Sequence, residues 1–315
     1  MRILKNSELK IFEWLVSLSQ DEVRKSMGAY LKKYYNNVNI TKDYITAEGD
    51  IPIALVAHMD TVFHDGERSV YYDPKHNVLF SPDGLGADDR AGIFAIITII
   101  KSGLRPHIIL TCDEEQGGLG ADKLSKTNHP FKNLKYMIEL DRQGINDCVF
   151  YDCYSPEFIE YIESFGFLED WGTFSDISSL CPAWEICGVN LSIGYFDEHT
   201  RVETLHVGAM FSTIEKVKKM LQVEHIPTFK YQRTAFNYAH YVAKMNGYLE
   251  EGVVCAHCGR MFSEYDTYPV KTKQGFEPYC VDCLCGEELR WCDTCGEPFI
   301  PNLSYTMCDS CCGGI

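Results

Sequence analysis

The sequence predicts an α/β fold: a mixed, mainly parallel sheet in three layers, with helices on both faces, followed by a small C-terminal zinc-binding module. Three observations lead to this prediction. Apolar runs of strand length alternate with amphipathic helical segments, which is the pattern of βα units. Several of those runs end directly in His, Asp or Glu. Ten of the 15 cysteines lie in the last 61 residues, mostly as C-x-x-C pairs.

Composition limits the classes of function. The chain has 315 residues and 45% hydrophobic content, enough for one sizeable domain and a smaller one. A formal net charge of -16 argues against a broad surface for nucleic acid or anionic membrane, because phosphate binding needs clustered Lys and Arg. No apolar run is long enough for a transmembrane helix, and the N-terminal segment does not resemble a signal peptide. We therefore expect a cytoplasmic protein.

The N-terminal third is predicted to be helical and then extended. Residues 6–35 show apolar positions at helical spacing, and the pattern restarts at Asp21, which predicts two helices. Residues 38–46 alternate and predict an early strand. Residues 69–81 predict a hairpin that turns at residues 73–77.

The central strand of the prediction is the apolar run Ile53–Ala57. An unbroken apolar run of this kind is typical of a strand buried on both faces in a parallel sheet. The run ends at His58, and Asp60 follows two positions later. Since ligands of open α/β sheets bind beyond the carboxyl ends of the strands, His58 is expected at the functional edge.

Three further apolar runs end in residue types that bind metals. The runs and the residues that follow them are His107–Cys112 with Glu114 and Glu115, Tyr136–Leu140 with Asp141, and Val189–Ile193 with His199. Another acidic residue, Asp88, stands before the helical segment 91–101. Because the strand ends meet at one edge of a sheet, these residues together predict a single metal site.

Helices are predicted between and after these strands, over residues 117–126, 155–165 and 206–222. In the second of them Ser155 is expected to cap the helix, with Pro156 at its first position. The resulting domain organisation is an α/β body over residues 1–225, a helical connector over 226–254 and a cysteine module over 255–315.

The metal-ligand motifs resemble those of a known group of enzymes. The matching features are AHMDTV, GLGADDRAG, the pair Glu114 and Glu115, Asp141 after a strand, and His199 with Glu203 four residues later. As a set they resemble the co-catalytic di-zinc exopeptidases, which include peptidase T, the aminoacylases, carboxypeptidase G and the related lidless aminopeptidases. The resemblance covers roughly residues 50–220 and implies their zinc-exopeptidase fold.

The resemblance implies a metal-binding role for five residues. His58 and Asp141 would hold one zinc ion, Glu115 and His199 would hold the other, and Asp88 would bridge both. Imidazole and carboxylate groups are suitable zinc ligands. Two catalytic zinc ions are therefore expected, which would polarise the scissile carbonyl and activate a water molecule.

The remaining motif residues receive supporting roles from the same resemblance. Glu114 would be the general base that takes a proton from water, and Asp60 would hydrogen-bond His58 and fix its tautomer. The peptide bond between Asp88 and Asp89 is expected to be cis. Glu203 is interpreted either as part of the motif or as a cap for the helix that follows it.

The sequence departs from the peptidase T and aminoacylase pattern by lacking room for a lid domain. Only 58 positions separate Asp141 from His199, and one helix and one strand are expected to use most of them. The residue that the lid supplies to stabilise the oxyanion is therefore missing, and Tyr195 and Thr173–Asp176 are candidates to replace it. Arg142 either binds a substrate carboxylate or forms a salt bridge with a nearby acid.

The C-terminal cysteines predict two structural zinc sites. Four C-x-x-C pairs in a chain with no export signal are typical of four-thiolate zinc sites, and the region resembles tandem treble-clef or LIM-like domains. The pairs are Cys255 and Cys258, Cys280 and Cys283, Cys292 and Cys295, and Cys308 and Cys311. Pairing within each half is expected, although interleaved pairing is also consistent with the spacing. With 4 Lys/Arg against 9 Asp/Glu, the module is expected to bind a protein partner or to dock on the catalytic body rather than to bind DNA.

Two classes of function follow from these observations. The first is a zinc-dependent metallohydrolase, either an exopeptidase acting on small peptides, such as an aminopeptidase or dipeptidase, or an amidase acting on N-acyl amino acids. The second is a non-catalytic scaffold that carries a zinc interaction module. The complete set of ligands, with Glu114 and Asp60 also present, favours an enzyme.

Overall fold

The chain divides into two compact units, Met1–Ala235 and Phe236–Ile315. The expected catalytic body, residues 1–225, lies within the first unit; the finer boundaries remain a prediction. The computed structural model describes residues 2–63, 68–151, 153–172, 174–233, 253–255, 261–262, 267–272, 275–280, 290–291 and 298–299.

The first unit combines helices with short and long strands. Its described helices are α1 (Asn6–Ser17), α2 (Gln20–Leu31), α3 (Ala87–Lys101), α4 (Leu119–Ser125), α5 (Pro156–Glu163), α6 (Asp176–Trp184) and α7 (Val207–Leu221). Its described strands are β1 (Asn37–Ile40), β2 (Tyr44–Glu48), β3 (Ile51–His58), β4 (Tyr71–Asp73), β5 (Val78–Phe80), β6 (Pro106–Thr111), β7 (Tyr136–Arg142), β8 (Asp147–Val149), β9 (Cys153–Tyr154), β10 (Leu168–Glu169), β11 (Cys187–Ser192), β12 (Tyr195–Phe196), β13 (Thr204–His206) and β14 (Gln232–Arg233).

An eight-stranded sheet forms the centre of this unit, in the order β1-β2-β6-β3-β7-β11-β8-β10. The four middle strands, β6, β3, β7 and β11, run parallel to one another. They are the long apolar runs of the sequence, and every residue of β6 and β11 is buried. The antiparallel pairs β1/β2, β2/β6 and β11/β8 make the sheet mixed, which confirms the predicted fold class.

Helices cover both faces of the sheet because successive strand residues point to opposite sides. Within β3, Leu55 and Ala57 belong to one core, which also contains the buried residues of α1, α3 and α7. Ala54 and Val56 belong to the other core, together with buried residues of α4 and α6. The sheet is therefore the middle layer of three, as predicted.

Two sequence predictions of secondary structure are wrong in detail. Residues 38–46 are not one strand, because Thr41 turns the chain into the β1/β2 hairpin: its Oγ1 accepts hydrogen bonds from the backbone N–H of Asp43 and Tyr44 at 3.1 and 2.9 Å. The segment between Asp141 and His199 contains two helices, α5 and α6, and several short strands rather than one helix and one strand. In its described residues this segment adds to the sheet and forms no separate lid.

The other helices and strands predicted before residue 225 are confirmed. β4 and β5 form the expected hairpin, and α4, α5 and α7 lie at the expected places. Ser155 caps α5 by accepting a hydrogen bond from the backbone N–H of Phe158. None of the described helices combines the length and the apolar character needed to cross a bilayer.

The second unit is described in short stretches. They include an antiparallel hairpin formed by Thr267–Thr272 and Gly275–Cys280, and Cys255, which is buried. The helix expected within the connector lies outside the described residues.

The proposed zinc-binding cysteines fall mostly outside the described residues. Cys255 is described with its side chain, and Cys280 is the last residue of the second strand of the hairpin. The other six cysteines of the predicted sites, which lie outside the described residues, are Cys258, Cys283, Cys292, Cys295, Cys308 and Cys311. The two structural zinc sites and the pairing of these cysteines therefore remain a prediction.

Candidate metal centre

The site begins at His58, the last residue of the central strand β3. Its ring is almost completely buried, and its Nδ1 lies 3.2 Å from Oδ1 of Asp60. Its Nε2 lies 2.9 Å from Oδ1 of Asp88 and 3.5 Å from Oδ1 of Asp141. β6 and β7 are the neighbours of β3 in the sheet. At this edge the imidazole contacts Asp141, which belongs to β7, and Asp88, which belongs to α3.

A second cluster lies on the other side of Asp88. Oδ2 of Asp88 is 3.2 Å from Nε2 of His199, and the same nitrogen is 3.0 Å from Oε2 of Glu115. Each oxygen of the Asp88 carboxylate therefore faces a different imidazole. The structure brings together all five residues that the sequence analysis proposed as metal ligands.

The donor atoms form compact groups that could each hold one cation. One group consists of His58, Asp88 and Asp141, and another of Asp88, Glu115 and His199. A further group contains His58, Glu114 and Glu115, so Glu114 is also within reach of a cation. Imidazole nitrogen and carboxylate oxygen are the ligand types that zinc accepts, and this donor set therefore fits the expected metal ions.

Asp60 contacts both His58 and the backbone of the two glutamates. Its Oδ1 and Oδ2 accept hydrogen bonds from the backbone N–H groups of Glu114 and Glu115, each at 3.1 Å. The same carboxylate contacts His58. One side chain thus ties the end of β3 to the turn that carries both glutamates.

The loop before α3 is fixed by Glu203. Its carboxylate accepts hydrogen bonds from the backbone N–H groups of Gly86 and Asp88, at 2.5 and 3.0 Å, and the side chain is fully buried. Burial raises the pKa of Glu203 to about 7. The interpretation of Glu203 as a helix cap is wrong, because His206 occupies the N-cap position of α7. The peptide bond between Asp88 and Asp89 is cis, as expected.

Asp89 and Arg90 also hold this loop through hydrogen bonds to backbone groups. The Asp89 carboxylate accepts hydrogen bonds from the backbone N–H groups of His58 and Gly92, at 3.3 and 2.8 Å. The buried Arg90 guanidinium donates to the backbone carbonyls of Met59 and Leu18. Hydrogen bonds therefore connect the start of α3 to the end of β3.

Asp141 is held by Asn190, a residue of the adjacent strand β11 that the sequence analysis did not single out. Asn190 Oδ1 accepts from the Asp141 N–H at 2.9 Å, and Asn190 Nδ2 donates to the Asp141 carbonyl at 2.7 Å. The Tyr195 hydroxyl donates to Asp141 Oδ1 at 3.1 Å. Tyr195 therefore contacts a proposed ligand, while Arg142 forms an ion pair with Asp170.

The electrostatics of the site favour a bound cation. Hydrogen bonds to Asp88 and Glu115 raise the pKa of His199 to about 10. Burial opposes the charged form of His58, but the charge of Asp141 and the hydrogen bonds that the ring donates to neighbouring carboxylates raise its pKa well above the usual range. Burial, together with the charges of neighbouring carboxylates, raises the pKa of Glu114 to about 7. Divalent cations would replace these protons and neutralise the carboxylates.

Two more acids are buried near the site: Glu139, which the sequence analysis did not single out, and Asp176, which it named only as part of the stretch Thr173–Asp176. Glu139 accepts a hydrogen bond from the Ser175 hydroxyl at 2.5 Å, and Asp176 accepts one from the Thr111 hydroxyl. Both side chains are fully buried, and burial raises the pKa of each; that of Asp176 is about 6. Nothing in the local sequence pattern distinguishes them, because one lies inside an apolar strand and the other starts a helix.

A cleft of about 430 Å³ opens beside the metal-ligand residues. Thr173, one residue of the stretch proposed for oxyanion stabilisation, lies outside the described residues. The cleft is lined by Asp88, Glu114, Asp141, Arg142, Gln143, Tyr151, Trp171, Gly172, Phe174, Tyr195, Glu198 and His199.

Comparison with known proteins gives matches among solved structures. No protein-family model matches the sequence, and no curated protein matches it. A tripeptidase from Staphylococcus aureus aligns with a TM-score of 0.57 at 13% identity, covering 70% of this chain and 99% of that chain. A TET aminopeptidase from a marine sediment Thaumarchaeota archaeon aligns with a TM-score of 0.55 at 11% identity, covering 70% and 98%.

A third structure agrees with these two. Aminopeptidase PepT from Bacillus cereus aligns with a TM-score of 0.52 at 14% identity, covering 67% of this chain and 96% of that chain. At such low identity the likeness establishes the fold and not the activity. The chain has the α/β fold of these peptidases.

Proposed function

We propose that the protein is a zinc-dependent metallohydrolase, an exopeptidase that acts on small peptides as an aminopeptidase or dipeptidase. The observation that carries this proposal is the position of Asp88. Its two carboxylate oxygens lie 2.9 Å from His58 and 3.2 Å from His199, so one residue connects two adjacent donor groups. A bridging carboxylate between two His/acid clusters is the arrangement that a two-metal hydrolytic site requires.

The metal ions would be held by the residues of those two clusters. His58 and Asp141 would bind one ion, Glu115 and His199 the other, and Asp88 both. When bound, they would supply Lewis acidity to the scissile carbonyl and lower the pKa of water. Asp60 keeps the His58 ring oriented through its contact with Nδ1, as the supporting partner of a metal-binding histidine does.

Glu114 is proposed as the general base. Its side chain lines the cleft and is half-buried, and burial keeps its pKa close to 7, where a base works best at neutral pH. It would take a proton from the attacking water and return it to the leaving amine. The backbone hydrogen bond of Glu114 to Asp60 holds the base at a fixed distance from the metal ligands.

The volume of the cleft and the ion pair of Arg142 support a small peptide as substrate. Its volume of about 430 Å³ lies near the lower end of the ~300–1,000 Å³ range of small-ligand pockets. Arg142, the cation that could receive the carboxylate of an N-acyl amino acid, is engaged by Asp170. The fold shared with aminopeptidases and a tripeptidase points the same way.

A hydrolysis panel tests this proposal. Purified full-length protein is incubated with dipeptides, tripeptides, aminoacyl-p-nitroanilides and N-acetyl amino acids, with and without added zinc, and the released amino groups are measured. We expect zinc-dependent turnover of dipeptides or tripeptides. Turnover confined to N-acetyl amino acids would replace the exopeptidase by an amidase, and no turnover of any substrate would favour a scaffold.

The variant Glu114→Ala tests the proposed base within the same panel. We expect kcat to fall at least ~100-fold while the zinc content stays unchanged, because Glu115 supplies the ligand and the loss of a general base has this magnitude. Full activity in the variant would remove Glu114 from the chemistry. Loss of zinc would mean that Glu114 is itself a ligand.

The C-terminal module is proposed to hold two structural zinc ions and to bind a protein partner. The C-x-x-C pairs support the zinc sites, and the burial of Cys255 agrees with a role in a folded module. Such closed sites contribute to folding rather than to chemistry.

A further inference from the structure

Aromatic side chains line part of the cleft next to the metal-ligand residues. Tyr151, Trp171 and Phe174, which we call the aromatic wall, line the same cavity as Glu114 and His199. Trp171 is 48% exposed and Phe174 is 41% exposed, so both rings present apolar surface to the cleft. None of these three residues has a role in the hydrolysis proposed above.

Phe174 is packed against the turn that carries the proposed base. A Cβ atom on Gly118 would lie 2.4 Å from Cζ of the Phe174 ring, so the ring rests directly on this glycine. The N–H groups of Gly117 and Gly118 both donate to the Glu114 carbonyl at 2.8 Å. The Phe174 ring therefore packs on the turn that follows Glu114.

Tyr151 and Trp171 are the other two residues of the wall. A Cβ atom on Gly172 would lie 3.0 Å from the Tyr151 ring, so Tyr151 packs closely on the residue next to Trp171. The two glycines thus leave the space that the aromatic rings fill. Charged side chains line the same cleft, among them Asp88, Asp141 and His199.

The cleft therefore offers a substrate both charged and apolar surface. A peptide whose scissile bond lies at the metal-ligand residues can place a neighbouring side chain against the aromatic wall; otherwise the wall stays in water. Covering exposed apolar surface with an apolar side chain is favourable, and large rings supply much of that surface. A charged or very small side chain gains nothing from the same contact.

We propose that the aromatic wall selects peptides that carry a large apolar or aromatic side chain next to the scissile bond. The inference rests on the proposed peptidase function and adds its substrate class. Trp171 and Phe174 are the specificity-determining residues, and Tyr151 supports them. Leucine and phenylalanine are preferred over alanine, lysine and glutamate at one position of the substrate.

Two series of dipeptides identify that position. In the series X-Ala and Ala-X, X is Leu, Phe, Ala, Lys or Glu, and kcat/KM is measured for the zinc-loaded full-length protein. We expect Leu and Phe to exceed Ala by at least ~10-fold in one series, since even one methylene in an apolar pocket is worth roughly 10–200-fold. Phe174→Ala and Trp171→Ala should each reduce this ratio to less than ~3-fold.

Matched controls separate the wall from a general effect of removing an exposed ring. Trp14 in α1 and Phe80 in β5 are 43% and 42% exposed and do not line the cleft. Trp14→Ala and Phe80→Ala should keep the wild-type preference ratio. The conservative variant Trp171→Phe should keep most of it, because a ring remains in the wall.

Fluorescence provides a readout that is independent of turnover. Leucinol, an amino alcohol that cannot be hydrolysed, should change the tryptophan emission on binding, and alaninol should have a smaller effect at equal concentration. The change should be absent in Trp171→Phe although leucinol still binds by calorimetry. An equal emission change in Trp171→Phe would place the bound side chain elsewhere.

The outcomes distinguish the inference from the function on which it depends. Peptide turnover with no apolar preference in either series overturns the inference and leaves the proposed function standing. A preference that survives both Phe174→Ala and Trp171→Ala does the same. If no peptide is hydrolysed, the proposed function and the inference both fall.

Discussion

At the scale of single residues, the site depends on two imidazoles surrounded by carboxylates. His58 is buried among Asp60, Asp88 and Asp141, and His199 contacts Asp88 and Glu115. These acids raise the pKa of both rings, that of His199 to about 10, so in the metal-free protein both histidines carry a proton near neutral pH. A metal ion binds only the unprotonated nitrogen.

Metal binding should therefore release protons. At pH 7 we expect the number of protons released per chain to be greater than zero when both proposed metal sites fill, and zinc affinity should rise with pH because protons and zinc compete for the same nitrogens. Calorimetry of zinc binding to residues 1–235 in buffers of different ionisation enthalpy measures this number. His76→Ala, which removes an exposed histidine paired with Asp73, should leave it unchanged. Binding without proton release would contradict the proposed ligands.

The proposed metal ligands, together with Asp60 and Glu203, could be singled out from the sequence, whereas Asn190 and the backbone contacts of Glu203 could not. His58, Asp141 and His199 follow apolar runs, and strand ends meet at one sheet edge. Asn190 hydrogen-bonds the backbone of a residue that lies 49 positions away in the sequence. Glu203 hydrogen-bonds backbone groups that lie at least 115 positions away. Such contacts depend on how the chain folds back on itself and leave no local pattern.

At the scale of elements, the close approach of α3 to β7 positions Asp88. α3 carries Gly92, whose N–H donates to the Asp89 carboxylate at 2.8 Å. A Cβ atom at this position would lie 2.5 Å from the Leu140 carbonyl and 2.5 Å from the Asp89 oxygens. Glycine is therefore needed here because the helix passes directly over the end of the strand.

Gly92→Ala should destabilise the first unit by about 1–3 kcal/mol, the usual cost of forcing an extra methyl group into a close-packed contact. It should also weaken zinc binding, since the helix must move away from the strand end that carries Asp141. Urea unfolding of residues 1–235 and a zinc titration measure the two effects. Thr98→Ala, farther along the same helix, serves as the control. Unchanged stability and zinc affinity would mean that the contact is easily relieved.

The elements differ in how well the sequence predicts them. β3, β6 and β11 are buried apolar runs with clear ends, and each was predicted. α6 was missed because serines at its start and Pro182 within it hide the helical pattern. β8 and β10 are three and two residues long, too short for any periodicity, and are held by pairing with their neighbours.

At the scale of the whole molecule, the proposed hydrolase machinery lies within the first unit. The five proposed ligands, Glu114 and the aromatic wall all precede residue 204, and both hydrophobic cores belong to Met1–Ala235. The cysteine pairs lie in Phe236–Ile315. The two units are therefore expected to bind their zinc ions independently.

Truncation tests this independence. A chain that ends at residue 235 should stay folded, unfold in one cooperative transition and bind two zinc ions, whereas the full chain should bind four. Zinc content by mass spectrometry and thermal unfolding give the comparison. Replacing Cys255 and Cys258 by Ser in the full chain should remove one zinc ion only. An insoluble truncated chain would show that the C-terminal unit completes the core of the first.

We propose above that His58 and His199 belong to one two-metal centre, which Asp88 bridges. Anomalous diffraction at the zinc edge, from crystals of residues 1–235 grown with zinc, tests it most directly. We predict two anomalous peaks in the cleft, one next to His58 and Asp141 and one next to Glu115 and His199, with the Asp88 carboxylate between them and a separation of about 3.5–4 Å. A single peak, or peaks that do not contact Asp88, would contradict the account.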